Sequence, residues 1–187
     1  MDRFVSRAGQ KLDHALTTFK LDVAGRTCAD LGCNVGGFVD CLLQRGAAKV
    51  YAIDTGYGVL DWKLRNDPRV VVMERTNAMH ATLPEKVSIV TIDVAWTKQK
   101  HILPAARRML ADDGFCVTLI KPHYESEAAM LRKGVLPTDR VAEVVEHVRR
   151  DVVGSDFEWI DSVESPITGT KGNLEVLALL RPIPAGA

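Results

Sequence analysis

Four short apolar runs each break off at a residue that chemistry can use. Thr27–Leu31 runs into Gly32, Lys49–Ile53 into Asp54, Val87–Ile92 into Asp93, and Phe115–Ile120 into Lys121. Runs of this length are too short for buried helices and suit strands covered on both faces. Segments with helical spacing lie between most of them. That alternation is the pattern of β-α-β units on a mostly parallel sheet. In such a sheet the strands share a direction, so the residues at their carboxyl ends gather along one edge, where ligands of open α/β sheets bind.

The helical segments follow from the same reading. From Ser6 to about Phe19, residues Ala8, Leu12, Ala15, Leu16 and Phe19 form one apolar stripe, and Arg7, Lys11 and His14 lie on another face. A second helix runs to about Gln44-Arg45, with Gly46 as its C-terminal stop. A third runs from about Lys98 to Ala111 and ends in an Asp112-Asp113-Gly114 turn. A fourth runs from Pro137 to about Asp151. Val70–Met73, Trp159–Val163 and Leu174–Leu180 complete a count of about seven strands. The connection Glu164 to Asn173 is too short for a helical crossover, so the last two strands either pair antiparallel or sit apart. The expected architecture is α/β: a Rossmann-like class I methyltransferase fold, seven strands with one antiparallel, and helices on both faces.

With 187 residues and no linker-like segment, one domain spanning residues 1–187 is expected, made of an N-terminal helix over 1–20 and a core over 21–187. There is neither a membrane-length apolar run nor a signal-peptide pattern, so a cytoplasmic protein without membrane contact is the default. Cys28, Cys33, Cys41 and Cys116 lack Cys-x-x-Cys spacing, and no metal is expected. Lys and Arg number 24, as do Asp and Glu, so a nucleic-acid partner would have to meet a local basic patch.

The turn after the first strand reads Asp30-Leu-Gly-Cys-Asn-Val-Gly-Gly-Phe38. Its glycines fall at Gly32, Gly36 and Gly37, which differs from the dinucleotide fingerprint and matches the Gly-x-x-x-Gly-Gly turn of S-adenosylmethionine sites. Asp54 stands where one carboxylate can accept from both ribose hydroxyls. Asn77 stands where an amide can read an adenine edge. Candidate cofactor contacts are Asp30, Gly32, Cys33, Asn34, Gly36, Gly37, Phe38, Asp54, Asn77 and Asp93. A nicotinamide site and a purely structural glycine turn remain as alternatives at this point. Asp93 and Lys121 end neighbouring apolar runs, where polar groups are costly unless paired or solvated. Lys11 on the first helix and Glu175 in an otherwise apolar final strand are candidates to join them.

Ser6-Arg-Ala-Gly-Gln-Lys-Leu12, Asp40-Cys-Leu-Leu-Gln-Arg-Gly46, Gly56-Tyr-Gly58, Arg65-Asn-Asp-Pro68, Glu74-Arg-Thr-Asn77, Lys121-Pro122 and Lys171-Gly-Asn173, together with the glycine turn and Thr91-Ile-Asp93, resemble the hemolysin-A-like (TlyA) branch of FtsJ-type ribosomal RNA methyltransferases. The resemblance covers almost the whole chain. It implies methyl transfer from S-adenosylmethionine to a ribose 2′-hydroxyl of ribosomal RNA by a Lys-Asp-Lys-Glu tetrad, which by motif is Lys11, Asp93, Lys121 and Glu175. It also implies an N-terminal S4 RNA-binding domain, and this chain begins where that domain would end, so a partner protein that replaces it is an expectation. The chain departs from the family pattern at Ala8-Gly-Gln-Lys11, Ala95-Trp96 and Pro122-His-Tyr-Glu125.

In that scheme Lys121 is the general base, and its pKa must fall about three units from ~10.4 to act near neutral pH. Asp93 orients it, Lys11 steers the ribose, and Glu175 positions Lys11. RNA, as naked ribosomal RNA or a ribosomal particle, would meet Arg7, Lys11, His123 and Tyr124, with Arg3 and a second group of Lys98, Lys100, His101, Arg107 and Arg108 as further cationic candidates. A small-molecule or protein acceptor and a non-catalytic cofactor-binding module stand as alternatives.

Overall fold

The computed structural model describes residues 3–184. Helix α1 (Ala8–Thr18) precedes strand β1 (Thr27–Leu31), helix α2 (Gly37–Gln44) and strand β2 (Lys49–Ile53). A short helix α3 (Trp62–Arg65) leads to β3 (Val70–Met73) and then β4 (Val87–Ile92). Helix α4 (Gln99–Met109), strand β5 (Leu110–Ile120), the one-turn helix α5 (Pro122–Glu125) and helix α6 (Thr138–Val153) follow. Strands β6 (Phe157–Glu164) and β7 (Val176–Pro182) close the chain.

The seven strands form one sheet in the order β3-β2-β1-β4-β5-β7-β6. Strands β1 to β5 pair parallel, and β7 lies antiparallel between β5 and β6. The period of two divides each strand between two cores. Cys28, Val50, Ile89, Val117 and Leu177 face α1 and α2, where Leu12, Leu16 and Leu42 pack. Ala29, Ile53, Val90, Cys116 and Ala178 face α4 and α6, where Ile102, Leu103 and Val148 pack. The result is the seven-stranded sheet of Rossmann-like methyltransferases, covered by helices on both faces.

Two expectations need correcting. The turn expected at Asp112-Asp113-Gly114 is a bulge inside β5: Val87 pairs with Leu110 and Ile89 with Phe115, so Ala111 to Gly114 bow out opposite Ser88. Leu110 is fully buried, and this holds the strand in register ahead of the bulge. Glu175 is not inside the last strand. Pairing of β7 with β5 stops at Val176–Ile120, because β5 there runs into Lys121-Pro122 and turns into α5. Glu175 therefore sits one residue before β7, where its side chain is free to leave the sheet plane.

Candidate active site

The sheet order reverses between β1 and β4, and their carboxyl ends abut. Gly32 has φ +85°, and a Cβ on it would lie 2.7 Å from the Asp93 carbonyl oxygen, so only glycine lets these strand ends close. Two clefts open on either side of this junction. One, of about 350 Å³, is lined by Gly32, Asn34, Asp54, Asn77, Asp93 and Trp96 among others. The other, of about 260 Å³, is lined by Arg7, Lys11, Asp93, Lys121, His123 and Glu175 among others. Asp93 borders both.

In the first cleft, Asp54 is held by its loop. Its carboxylate accepts from Asn34 N at 2.9 Å and from Gly56 N at 2.7 Å. Asn77 Oδ1 accepts from Met79 N at 2.9 Å, which orients the amide. Asp30, Cys33, Gly36, Gly37 and Phe38 do not line the cleft. Phe38 and Cys33 are packed into the core on the α2 side. A Cβ on Gly36 would collide with Leu64 and Leu60, and one on Gly37 with Ser6 and Ala8. These two glycines thus allow close packing of protein on protein, and Gly37 admits the start of α1 against α2.

Asp30 lies beneath the junction, 1% exposed. Its Oδ1 accepts from the Thr91 hydroxyl at 2.7 Å, and its Oδ2 has no partner among the described residues. Burial pushes its carboxyl up to about 8, partly offset by the Thr91 hydrogen bond and reinforced by Asp93 and Asp54. Three carboxyl groups thus cluster under and around this cleft.

The second cleft holds two ion pairs. Lys11 Nζ meets Glu175 Oε2 at 2.5 Å, with both side chains nearly buried. Lys121 Nζ meets Asp93 Oδ1 at 2.6 Å and donates to the Val94 carbonyl at 3.1 Å. Buried charges persist only when so paired. Gly169 lies against the Glu175 carboxylate so closely that a Cβ would overlap Oε1. Gly169 thereby packs directly on the Lys11–Glu175 pair. His123 is buried beside Lys121, and burial together with that cation holds its imidazole below the usual pKa. Tyr124 packs between His123, at 4.1 Å between ring centroids, and Trp96, at 4.8 Å. Trp96, which lines the first cleft, is 83% exposed, and sequence reasoning misses it, although its place three residues after a strand-end Asp is the available signal.

The residues of this chain from 4 to 181 match the FtsJ-like methyltransferase family. The chain belongs to that family. It is 38% identical over 182 residues to hemolysin A of Brachyspira hyodysenteriae, covering 94% of this chain and 76% of that protein. It is 41% identical over 187 residues to the 16S/23S rRNA (cytidine-2′-O)-methyltransferase TlyA of Mycobacterium tuberculosis, covering 95% of this chain and 68% of that protein. A solved Streptococcus thermophilus protein that carries a hemolysin name superposes with TM-score 0.93 at 38% identity, over 97% of this chain and 68% of that one. The chain spans 64% of the Bacillus subtilis relative YqxC.

Methyltransferases of this fold use S-adenosylmethionine, and the first cleft fits it. The donor carries positive charge at its sulfonium sulfur, and the cleft wall offers carboxyl groups at Asp54 and Asp93. Among the described residues no group of His, Cys, Asp and Glu side chains is placed to hold a metal ion, and no helix is long and apolar enough to cross a membrane. Cys28, Cys33, Cys41 and Cys116 are all buried free thiols. Burial pushes the Cys28 and Cys41 thiols up to about 12, which leaves them inert.

The cationic groups expected at the first helix and at α4 are mostly engaged elsewhere. Arg3 pairs with Asp13, Arg107 with Asp112, Arg108 donates to the Met79 carbonyl, and Lys98 to the Glu125 carbonyl. Arg7 stays exposed at the second cleft.

Proposed function

We propose that the paired clefts transfer a methyl group from S-adenosylmethionine to a ribose 2′-hydroxyl of ribosomal RNA, in the cytoplasm, with Lys11, Asp93, Lys121 and Glu175 as the working groups. The supporting observation is the meeting of two lysine–carboxylate pairs in one cleft, one of them through Asp93, which also borders the cofactor cleft. The reaction named for the Mycobacterium tuberculosis relative accords with it.

Asp54, Asn77 and the Gly32 backbone would hold the donor, with Asp30 beneath. Bound there, S-adenosylmethionine supplies a methyl carbon on a sulfonium sulfur, so that a C–O bond to the ribose forms as the C–S bond breaks. Lys121 takes the hydroxyl proton. As a free amine it has two hydrogens, and the structure provides two acceptors for them, Asp93 Oδ1 and the Val94 carbonyl. The lone pair is then left for the 2′-hydroxyl. Lys11, held by Glu175, would present its ammonium to the ribose. Holding acceptor and methyl in line supplies much of the rate. Arg7 stands exposed at this cleft and takes part in no salt bridge among the described residues, which suits an anionic polymer over an uncharged metabolite.

Lys121→Ala should lower methyl transfer to ribosomal RNA by about 10²–10⁴-fold, the usual range for loss of a general base. Its affinity for S-adenosylmethionine by calorimetry should stay within a factor of a few. Full turnover in Lys121→Ala would refute the assignment.

A further inference from the structure

The net charge of zero conceals an uneven surface. Arg7, Arg132, Lys133 and Lys171 are exposed. The salt bridges of the described residues leave all four out. Arg7 lines the catalytic cleft, and Lys171 lines an adjoining cavity of about 510 Å³ that shares His123 and Tyr124 with it.

Two of these cations sit on matching turns. Arg132-Lys133-Gly134-Val135 is a two-residue hairpin closed by Arg132 N to Val135 O at 2.8 Å and Val135 N to Arg132 O at 3.0 Å. In Thr170-Lys171-Gly172-Asn173, Asn173 N donates to Thr170 O at 3.3 Å. In both, the central pair is left-handed: Lys133 at φ +54° with Gly134 at +82°, and Lys171 at +58° with Gly172 at +81°. This is the φ pattern of a type I′ turn, where lysine is not a favoured first residue. The turns touch: a Cβ on Gly134 would lie 3.1 Å from Lys171 Nζ. Asn173, 2% exposed, stitches them together. Its Oδ1 accepts from Leu136 N at 3.0 Å, and its Nδ2 donates to Gly134 O at 3.1 Å and Thr170 O at 3.0 Å. The same loop reaches Glu175 through Gly169, so the turns are fixed relative to the catalytic pair. The two lysines are thus carried on joined turns, exposed and without a carboxylate partner among the described residues, where an anion can meet both.

We propose that the twin Lys-Gly turns grip backbone phosphates of the RNA strand that carries the target ribose, and so seat that strand over the Lys11–Glu175 pair. This rests on the RNA reading of the cleft. Each lysine that neutralises a phosphate adds to the salt dependence of binding. Removing one such lysine flattens the slope of log K against log salt by about 0.7–0.9.

The test is binding of the full chain to purified 16S and 23S ribosomal RNA across a salt series. Lys133→Ala/Lys171→Ala should flatten the slope by about 1.4–1.8 in total. Lys133→Arg/Lys171→Arg, which keeps the charge, should restore it. Arg26→Ala removes a cation at the amino end of β1, away from the clefts, and should leave the slope as it is. Unchanged affinity for S-adenosylmethionine verifies the fold of each variant. If the double alanine variant binds RNA with the wild-type slope, the grip is overturned and the RNA reading stands. If the wild-type chain neither binds nor methylates either RNA at low salt, the RNA reading fails and the grip with it.

Discussion

At the scale of single residues, the site is built from carboxyl groups and lysines whose states are set by burial. Asp30 is the clearest case. Its carboxyl titrates near 8 in the folded chain and near 3.9 when unfolded, so between those values the folded state holds the extra proton. Its contribution to stability is present below the unfolded value and is lost as pH rises through about 8, by up to about 1.4 kcal/mol per pH unit. Asp30→Asn keeps the acceptor for Thr91 without the charge. Its melting temperature should gain on the wild type between pH 6 and pH 9, and a gap that does not change with pH would show that Asp30 is ionised throughout.

Lys11 and Glu175 make the complementary case. Lys11→Ala strands a buried carboxylate and should cost about 3–5 kcal/mol in denaturant unfolding. Lys11→Met/Glu175→Leu should recover much of that stability while remaining inactive. That Lys11 and Glu175 belong together is legible only through the motif resemblance. Nothing in local spacing joins residues 164 positions apart, and Glu175 alone reads as an outward-facing strand residue.

At the scale of elements, hydrophobic period is informative where packing is two-sided and fails where single turns intervene. The runs ending at Gly32, Asp54, Asp93 and Lys121 are β1, β2, β4 and β5, because strands buried on both faces leave uninterrupted apolar stretches. Helices α3 and α5 span four residues each, too few to show a period in the sequence. The glycine turn is legible as a strand-to-helix corner. What the sequence does not show is that Gly37 faces Ser6 and Ala8, because that packing depends on where α1 docks. Gly37→Ala should therefore push α1 away from α2, at about 1–3 kcal/mol for overpacking, and move Lys11 with it. Lower thermal stability and slower methyl transfer should appear together. A variant that loses cofactor affinity alone would place Gly37 at the donor instead.

For the whole molecule, strand order decides where chemistry happens. Reversal between β1 and β4 places Asp93 at the wall between the two clefts. The antiparallel pairing of the last two strands is legible in outline because the Glu164–Asn173 link is too short to cross over, whereas the insertion of β7 between β5 and β6 is seen only in the fold. The charge balance is legible only as a sum. Its distribution follows from which arginines find carboxylates in the fold: Arg3, Arg45, Arg65 and Arg107 do, through Asp13, Glu74 and Asp112, while Arg132, Lys133 and Lys171 do not.

The most direct measurement is the chemical identity of the methylated product. Ribosomal RNA incubated with the protein and isotopically labelled S-adenosylmethionine, then digested to nucleosides and resolved by mass spectrometry, should carry the label on a ribose 2′-oxygen, with almost none after Lys121→Ala. Label on a base, or equal 2′-O-labelling by Lys121→Ala, would contradict ribose methylation by this cleft.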